Sequence, residues 1–371
     1  MAGTLRCRSS RAWTTPCPGT GATSNGGARS RTRIRNSAST TRASTAAALP
    51  EARVSGVPLV TGATGFAGSH LLDQLVQSSA VEAWAHRGGR AVEERRDDPR
   101  VRWHAVDLLD PDAVRAALAG INPSVIYHSA GDADVHASWR SPARAHRVNA
   151  VGTQHLLDAA RDLGLSCPVI VTSSALVYRP SIQPITEGDP IAPSSPYGVS
   201  KLAQEMVAAQ SYTNVVIARA FNHAGPRQDP TYVTSAFARR VAEIEAGGHE
   251  PVLSVGNLDS FRDITDVRDT VRAYRLLASH GRPDRPYNVC SGRAYRVGDL
   301  LEILLGRARA TVRVAPDPAR MRPHDNPRVV GNPNRIAADT GWRAEIPIER
   351  TLTDLLDYWR AALDPAQPRP A

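Results

Sequence analysis

Tyr197-Gly198-Val199-Ser200-Lys201 places a phenol and an ammonium four residues apart, the spacing that puts both on one face of a helix. A neighbouring ammonium favours the phenolate, so this spacing predicts a tyrosine pKa lowered toward neutrality and a phenol usable as a general acid or base. Upstream, Thr172-Ser173-Ser174 closes an apolar, β-branched run. Hydroxyls at the C-terminal end of a strand face the crevice where open α/β sheets bind ligands. Ser174 is expected to hydrogen-bond and orient a reacting carbonyl, with Ser173 as the alternative and a capped strand end as the structural reading.

Lys201 is the only lysine among 45 basic residues; the other 44 are arginine. The bias reads as a GC-rich coding sequence drifting toward Arg, Ala, Gly and Pro. A lysine that survives such drift needs a reason, and a compact three-donor charge does what a planar guanidinium cannot.

A second constellation is Thr61-Gly62-Ala63-Thr64-Gly65-Phe66-Ala67-Gly68, which follows a strand-like run and opens a helix-like one. That context makes it a dinucleotide fingerprint. Gly62 permits a tight turn, Gly65 lets a pyrophosphate approach the backbone, and Gly68 allows helix and strand to pack closely, with Thr64 and Phe66 in the same turn. Lys201 would then also hold the nicotinamide ribose. The second strand ends in Ala85-His86-Arg87-Gly88-Gly89-Arg90, without the acid that binds an adenosine ribose. Arg87 is placed to meet a 2′-phosphate, which favours NADPH over NADH. Asp107, followed by Leu108, ends the third strand; it can accept from the adenine amino group or cap a turn.

The elements that must position these groups alternate. Strands are expected over residues 57–61, 81–86, 101–106, 124–128, 169–173 and 215–218. Helices are expected over 68–77, 111–119 with Asp110 as N-cap, 143–163 and 197–210. This is an α/β pattern, predicting a Rossmann-type doubly wound parallel sheet. After about residue 225 the alternation loosens and Pro, Arg and Gly rise, which predicts a smaller C-terminal α/β substrate domain. The expected division is a basic tail over 1–53, a nucleotide-binding domain over 54–225, a mainly substrate-binding part over 226–362 with some segments returning to the sheet, and a frayed end over 363–371.

Composition narrows the classes. The 371 residues are 42% hydrophobic and 22% charged, as in an ordinary globular protein. No apolar run approaches the roughly 18 residues that span a bilayer. The net charge of +9 belongs to the tail: residues 1–50 carry eight arginines and no acid, leaving 37 basic against 36 acidic residues in the body. A phosphate-tracking surface on the body is therefore not supported, and nucleic acid is not an expected partner. The tail has too little apolar surface to order itself. It reads first as a start codon assigned too far upstream, second as a targeting segment, and last as a nucleic-acid-binding arm. Cys7, Cys17, Cys167 and Cys290 lack metal-knuckle or redox spacing, so no metal site and reduced, cytoplasmic thiols are expected.

In order, the glycine fingerprint, Asp107, His128, Asn149, Ser174 and the Tyr197/Lys201 pair resemble the extended short-chain dehydrogenase/reductases that act on nucleotide-diphosphate sugars. The resemblance covers about residues 55–360. Phe221-Asn222-His223-Ala224-Gly225-Pro226, Val255-Gly256-Asn257-Leu258, the segment from Arg262 to Asp269, Arg322-Pro323-His324-Asp325 and Gly341-Trp342 look like the GDP-4-keto-6-deoxymannose reductase branch. The resemblance implies that Asn222, Arg262 and Arg322 hold the substrate's diphosphate, a role suited to arginine forks. It implies that His128 and Asn149 shape the cofactor pocket, each with a structural hydrogen bond as its alternative. It also implies a homodimer.

One position departs. Related dehydratases place a proton-transferring glutamate two residues after the active-site hydroxyl, where this chain has Leu176. Leucine cannot exchange protons, so dehydration is disfavoured. Some family reductases also carry the glutamate, so Leu176 marks a divergent subgroup with a different sugar or nucleotide.

The function these residues imply is NADPH-dependent reduction of a GDP- or dTDP-linked 4-keto-6-deoxyhexose in deoxysugar biosynthesis, for a surface glycan or an antibiotic. The alternatives are an epimerase that retains bound NAD(P) and, from another class, a redox-sensing or nucleic-acid-binding protein on the same fold.

Overall fold

The computed structural model describes residues 56–86, 88–89, 93–321 and 326–364. The expectations for the basic tail, the end beyond residue 364, Arg87 and Arg322 lie outside the described residues.

The first half alternates as the sequence predicts. β1 (Pro58–Thr61) leads to α1 (Phe66–Leu75), β2 (Val81–Ala85), a single turn α2 (Glu93–Arg96), β3 (Val101–Ala105), α3 (Pro111–Ala119) and β4 (Val125–His128). Two short helices, α4 (Val135–Arg140) and α5 (Pro142–His146), pass through a π-helical turn at Arg147–Val151 into α6 (Gly152–Asp162). The single helix expected over 143–163 is therefore interrupted. β5 (Val169–Ser174), a 3-10 turn at Ala175–Val177, α7 (Pro196–Ser211) and β6 (Val215–Ala220) follow.

Beyond β6 the elements shorten. They are β7 (Asn222–Ala224), α8 (Val233–Glu245), β8 (Val252–Val255), β9 (Phe261–Arg262), β10 (Ile264–Asp266), α9 (Val267–His280), β11 (Tyr287–Val289), β12 (Tyr295–Arg296), α10 (Val297–Leu305), β13 (Arg313–Pro316), β14 (Arg328–Val329), α11 (Asn334–Thr340) and α12 (Ile348–Leu363).

Seven strands form one sheet in the order β11-β6-β5-β4-β1-β2-β3, every pair parallel. The order reverses between β1 and β4, and such a switch point opens a crevice at the C-terminal strand ends. β1 is buried along its whole length, because a parallel sheet is covered on both faces and reads as a continuous apolar run. Leu71, Leu72 and Leu75 of α1 pack with Val271 and Tyr274 of α9 on one face; Val114, Leu118, Leu156 and Leu157 of α3 and α6 pack with Ala208 of α7 on the other. A separate apolar cluster joins α8, α10 and α12 through Phe237, Val241, Leu300, Leu304, Leu352 and Leu355. Residues from past position 225 thus build both this cluster and the seventh strand, β11.

Local chemistry sets the element ends nearest the crevice. Asp110 accepts from the Ala113 amide at 3.0 Å and caps α3, with Pro111 in the first turn, as its position predicts. Ser195 does the same for α7, accepting from Gly198 N at 3.1 Å ahead of Pro196. Such a cap contributes about 1 kcal/mol, and here it fixes where the helix bearing Tyr197 begins. Asp263, fully buried between β9 and β10, accepts from Ser291 N (2.8 Å), Ser291 Oγ (2.6 Å), Gly292 N (2.8 Å) and Gly331 N (3.2 Å), tying three distant segments together.

Candidate functional site

The turn from β1 into α1 is shaped by its glycines. Gly62 has φ +68°, and a Cβ there would lie 2.7 Å from the Ala130 backbone. A Cβ on Gly68 would run into the Gly62 carbonyl. At Gly65 the added Cβ would meet only the Gly62 carbonyl oxygen, at 3.2 Å, and otherwise stands clear. Gly65 N closes the turn on Gly62 O at 2.9 Å, and Gly65 is the N-cap of α1 without a side chain to occupy the helix end. The result is a bare backbone cradle at a helix N-terminus, which suits a pyrophosphate. Phe66 stacks on His223 at 5.5 Å with rings 5° from parallel, linking this turn to the segment after β6.

Asp107 uses Oδ1 to cap its own turn, accepting from Leu109 N at 2.9 Å; of the two roles its position allows, this is the one the geometry displays. The buried Leu108 gives its carbonyl to His155 Nδ1 at 2.9 Å.

Three consecutive residues at the end of β5 meet three successive turns of α7. Lys201 Nζ donates to the Thr172 carbonyl at 2.6 Å. Ser173 Oγ donates to Glu205 Oε1 at 2.5 Å. The Ser174 hydroxyl accepts from Leu176 N at 3.2 Å and lies beside the Tyr197 phenol, whose acidity it raises. Gly198 permits this docking, since a Cβ there would collide with the Leu176 carbonyl and come within 2.9 Å of Pro193. Of the two serines, Ser174 is therefore the one beside Tyr197, and Ser173 is turned to structural use.

Electrostatics depart from expectation at Tyr197. Burial pushes its phenol above the ordinary tyrosine value, Tyr232 and Asp132 push the same way, and only the Ser174 hydroxyl opposes them. The lowering expected from Lys201 does not occur, because burial is the largest influence on the phenol and outweighs what favours its ionisation. Lys201 itself is lowered to about 8 by burial, with the Glu205 charge opposing. The pair is thus set as a protonated phenol beside an ammonium that titrates near neutral pH: a proton donor rather than a ready-made phenolate.

His128 and Asn149 are both buried, and each makes structural hydrogen bonds. His128 bridges Thr61 Oγ1 and Thr153 Oγ1, each at 2.8 Å, joining β1, β4 and α6. Burial and the Lys201 charge lower it to about 3, so it is neutral. Asn149 sits in the π-helical turn. It accepts from Asp132 N (2.8 Å) and donates to Asp132 O (3.0 Å) and Ser200 Oγ (2.9 Å), clamping the loop after β4 to α7.

The expected substrate residues lie beyond β6. Asn222 begins β7 with its side chain exposed. Arg262, half-buried in β9, donates through Nη1 to Phe261 O (2.9 Å) and Asn326 O (2.8 Å).

Sequence reasoning missed the ion pair beneath the site. Arg219 on β6 forks onto Glu205 through Nε (2.9 Å) and Nη2 (2.6 Å), and both side chains are buried. The one available signal was Glu205 standing a turn past Lys201. Tyr232 was missed as well: its hydroxyl reaches from the start of α8 to the Ala133 carbonyl at 3.0 Å, near Tyr197.

Known proteins carry the same architecture. A family model described as GDP-mannose 4,6 dehydratase matches residues 59–355. GDP-6-deoxy-D-mannose reductase of Pseudomonas aeruginosa is 36% identical over 309 residues, 81% of this chain and 96% of that protein. The solved structure of RMD from Pseudomonas aeruginosa complexed with NADPH has a TM-score of 0.72 at 33% identity and covers 82% of this chain and 99% of that one. UDP-glucose 4-epimerase of Thermus thermophilus, in complex with NAD, has a TM-score of 0.73 at 29% identity, covering 83% and 100%. Among the described residues no helix is long and apolar enough to cross a membrane.

Two buried histidines make stability pH-dependent. His70, lowered to about 4 by burial and by Arg227, and His128, lowered to about 3, bind protons more weakly folded than unfolded. Their contribution is complete above the unfolded value of about 6.5 and is lost as pH falls toward the folded values. Thermal unfolding followed from pH 7.5 to 4.5 should show Tm falling, and His70→Asn should flatten that slope. A Tm independent of pH in wild type would refute neutral burial of these rings.

Proposed function

The chain belongs to the GDP-mannose 4,6-dehydratase family, and from that premise we propose that it reduces the 4-keto group of a nucleotide-activated 4-keto-6-deoxyhexose with NADPH. The observation that carries this reading is Ser174 beside the Tyr197 phenol, with Lys201 one turn further along α7 and bound to the Thr172 carbonyl, all at the C-terminal ends of the strands beside the glycine cradle.

Each residue has a chemical role in the proposal. Gly62, Thr64, Gly65, Phe66 and Gly68 hold the dinucleotide, with Asp107 and Leu108 at its adenine end and Arg87 at a 2′-phosphate. When bound, the reduced nicotinamide supplies a hydride to the carbonyl carbon. The Tyr197 phenol, kept protonated by burial, gives its proton to the carbonyl oxygen. Ser174 donates to the same oxygen and fixes its direction. The Lys201 ammonium stabilises negative charge on the phenol after that proton leaves and holds the nicotinamide ribose. Fixed donors aimed at a developing oxyanion in a dry site account for most of such an acceleration. Asn222, Arg262 and Arg322 hold the diphosphate of the sugar nucleotide. Residues 54–225 serve mainly as the nucleotide-binding part and 226–362 mainly as the substrate-binding part.

Leu176 favours reduction over dehydration, because its apolar side chain beside Ser174 cannot carry the proton that elimination moves. The nucleotide favoured is GDP, since GDP-6-deoxy-D-mannose reductase shares 36% identity with this chain while the dTDP-glucose 4,6-dehydratase of Actinoplanes sp. shares 27%.

Purified protein with NADPH should consume the reduced cofactor when given GDP-4-keto-6-deoxymannose, faster than with the dTDP-linked 4-keto-6-deoxyglucose and faster than with NADH. Tyr197→Phe should slow turnover by about 10²-fold or more. No consumption with either sugar, alongside retained cofactor and an epimerised product, would replace this reading with the epimerase.

We further propose a cytoplasmic homodimer. Val199 and Met206 lie seven residues apart on one face of α7, both exposed, and Val151 is exposed on the turn that enters the adjacent α6. Covering apolar side chains arranged this way favours pairing two copies. Light scattering should return a dimer mass, and Met206→Glu should return a monomer. A monomeric wild-type protein would overturn the proposal.

A further inference from the structure

Glu205 and Arg219 form a buried ion pair that takes no part in the mechanism above. Removing two charges from water is costly, and their mutual attraction rarely exceeds that cost, so a buried pair is a weak stabiliser and needs another reason to be where it is. Its surroundings supply one. Tyr197, Lys201 and Glu205 stand at successive turns of one face of α7. Glu205 Oε1 receives Ser173 Oγ, the neighbour of Ser174, at 2.5 Å. Arg219 fills the remaining acceptor capacity of the carboxylate with a two-pronged grip and passes Nη1 to Tyr178 Oη at 2.9 Å. Tyr178 in turn donates to Asn288 Oδ1 on β11 at 2.7 Å. The carboxylate is thus pinned on both sides by β5 and β6 and cannot swing away from Lys201.

We infer that Glu205 is a positioning residue for the reaction, acting on the reacting groups through Lys201 and Ser173 rather than by touching substrate. Its fixed negative charge one turn below the ammonium offsets the loss of water there. Its bond to Ser173 sets the height at which Ser174 meets Tyr197. Arg219 holds the carboxylate in place and keeps it from bonding Lys201 directly, which leaves the ammonium's donors for Thr172 and for a ligand. The lysine is what makes the carboxylate necessary: a buried lysine loses part of its charge to desolvation, and a nearby carboxylate restores it. The inference rests on the proposed reductase reading only for what Lys201 does, not for how its charge is held.

The titratable and charged groups around Lys201 are Tyr197 and Glu205 on α7, neutral His128 on β4, Asp132 in the following loop, Arg219 on β6 and Tyr232 at the start of α8. Among them Glu205 is the one whose charge supports the protonated lysine.

Because Lys201 is the only lysine, protein made with 13Cε-labelled lysine and no lysine in any tag gives a single side-chain resonance. Its pH titration reads this site alone, with neither sugar nor cofactor present. In wild type the midpoint should fall near 8. Glu205→Gln keeps an oxygen for Ser173 but removes the charge, and should raise the acid constant about tenfold, a downward shift of about one pH unit. Ser173→Ala removes the bond but not the charge and should leave the midpoint in place. The double variant Glu205→Gln with Arg219→Gln removes both buried charges, so its midpoint should fall between those of Glu205→Gln and wild type. It also answers the question if the single variant, with Arg219 left unpaired, does not fold. A wild-type midpoint in either folded Glu205 variant would overturn the inference, as would a Ser173→Ala shift as large as that of Glu205→Gln. With substrate, the alkaline limb of kcat/KM should move down together with the resonance. A protein that turns over no keto sugar would refute the reductase reading while leaving this titration to stand or fall separately.

Discussion

A buried ammonium must find partners, and in this protein that requirement organises the site. Lys201 Nζ reaches the Thr172 carbonyl at 2.6 Å, and this bond sets the separation between α7 and the C-terminal end of β5. Once it is made, Tyr197 stands one turn above and meets Ser174, while Glu205 stands one turn below and meets Ser173. Gly198 lets the helix come close enough, and Ser195 fixes where the helix starts. Asn149 holds the loop after β4 against the same helix. These contacts hold α7 in the register at which the lysine reaches the strand end.

The same edge of the sheet gathers the rest of the machinery. The order reversal between β1 and β4 opens the crevice, and the glycine turn after β1 lies on one side of it. The segment after β6 closes in through the Phe66–His223 stack. Tyr232 spans from α8 to the loop after β4. Residues past 225 therefore do two jobs. They add a seventh strand to the sheet, they build a second cluster, and through Asp263 they tie the segments at Ser291 and Gly331 together.

What was legible in the sequence was whatever is encoded locally. Buried parallel strands read as short β-branched runs, Asp110 and Pro111 announced α3, and three glycines at fixed spacing announced the turn into α1. The Tyr197/Lys201 pair was legible because helical periodicity alone places both on one face. What was not legible depends on partners far apart in the chain. The π-helical turn at Arg147–Val151 interrupts a stretch whose pattern is helical throughout; it turns Asn149 toward a loop 17 residues away and a helix 51 residues away. Arg219 looked like one arginine among many until β6 placed it against Glu205. The pKa of Tyr197 was misjudged because spacing reveals the nearby charge but not the burial, and burial is the larger effect.

One compact ammonium, and not simply a positive charge, organises this site. The most direct measurement is the rate of NADPH consumption with the preferred 4-keto sugar nucleotide in Lys201→Arg, in a protein shown to be folded by its Tm. A planar guanidinium cannot take the place of Nζ against the Thr172 carbonyl and still leave Tyr197 on Ser174, so the rate should fall by about 10²-fold or more although the charge is kept. A Lys201→Arg protein that turns over at close to the wild-type rate would show that positive charge alone suffices at this position.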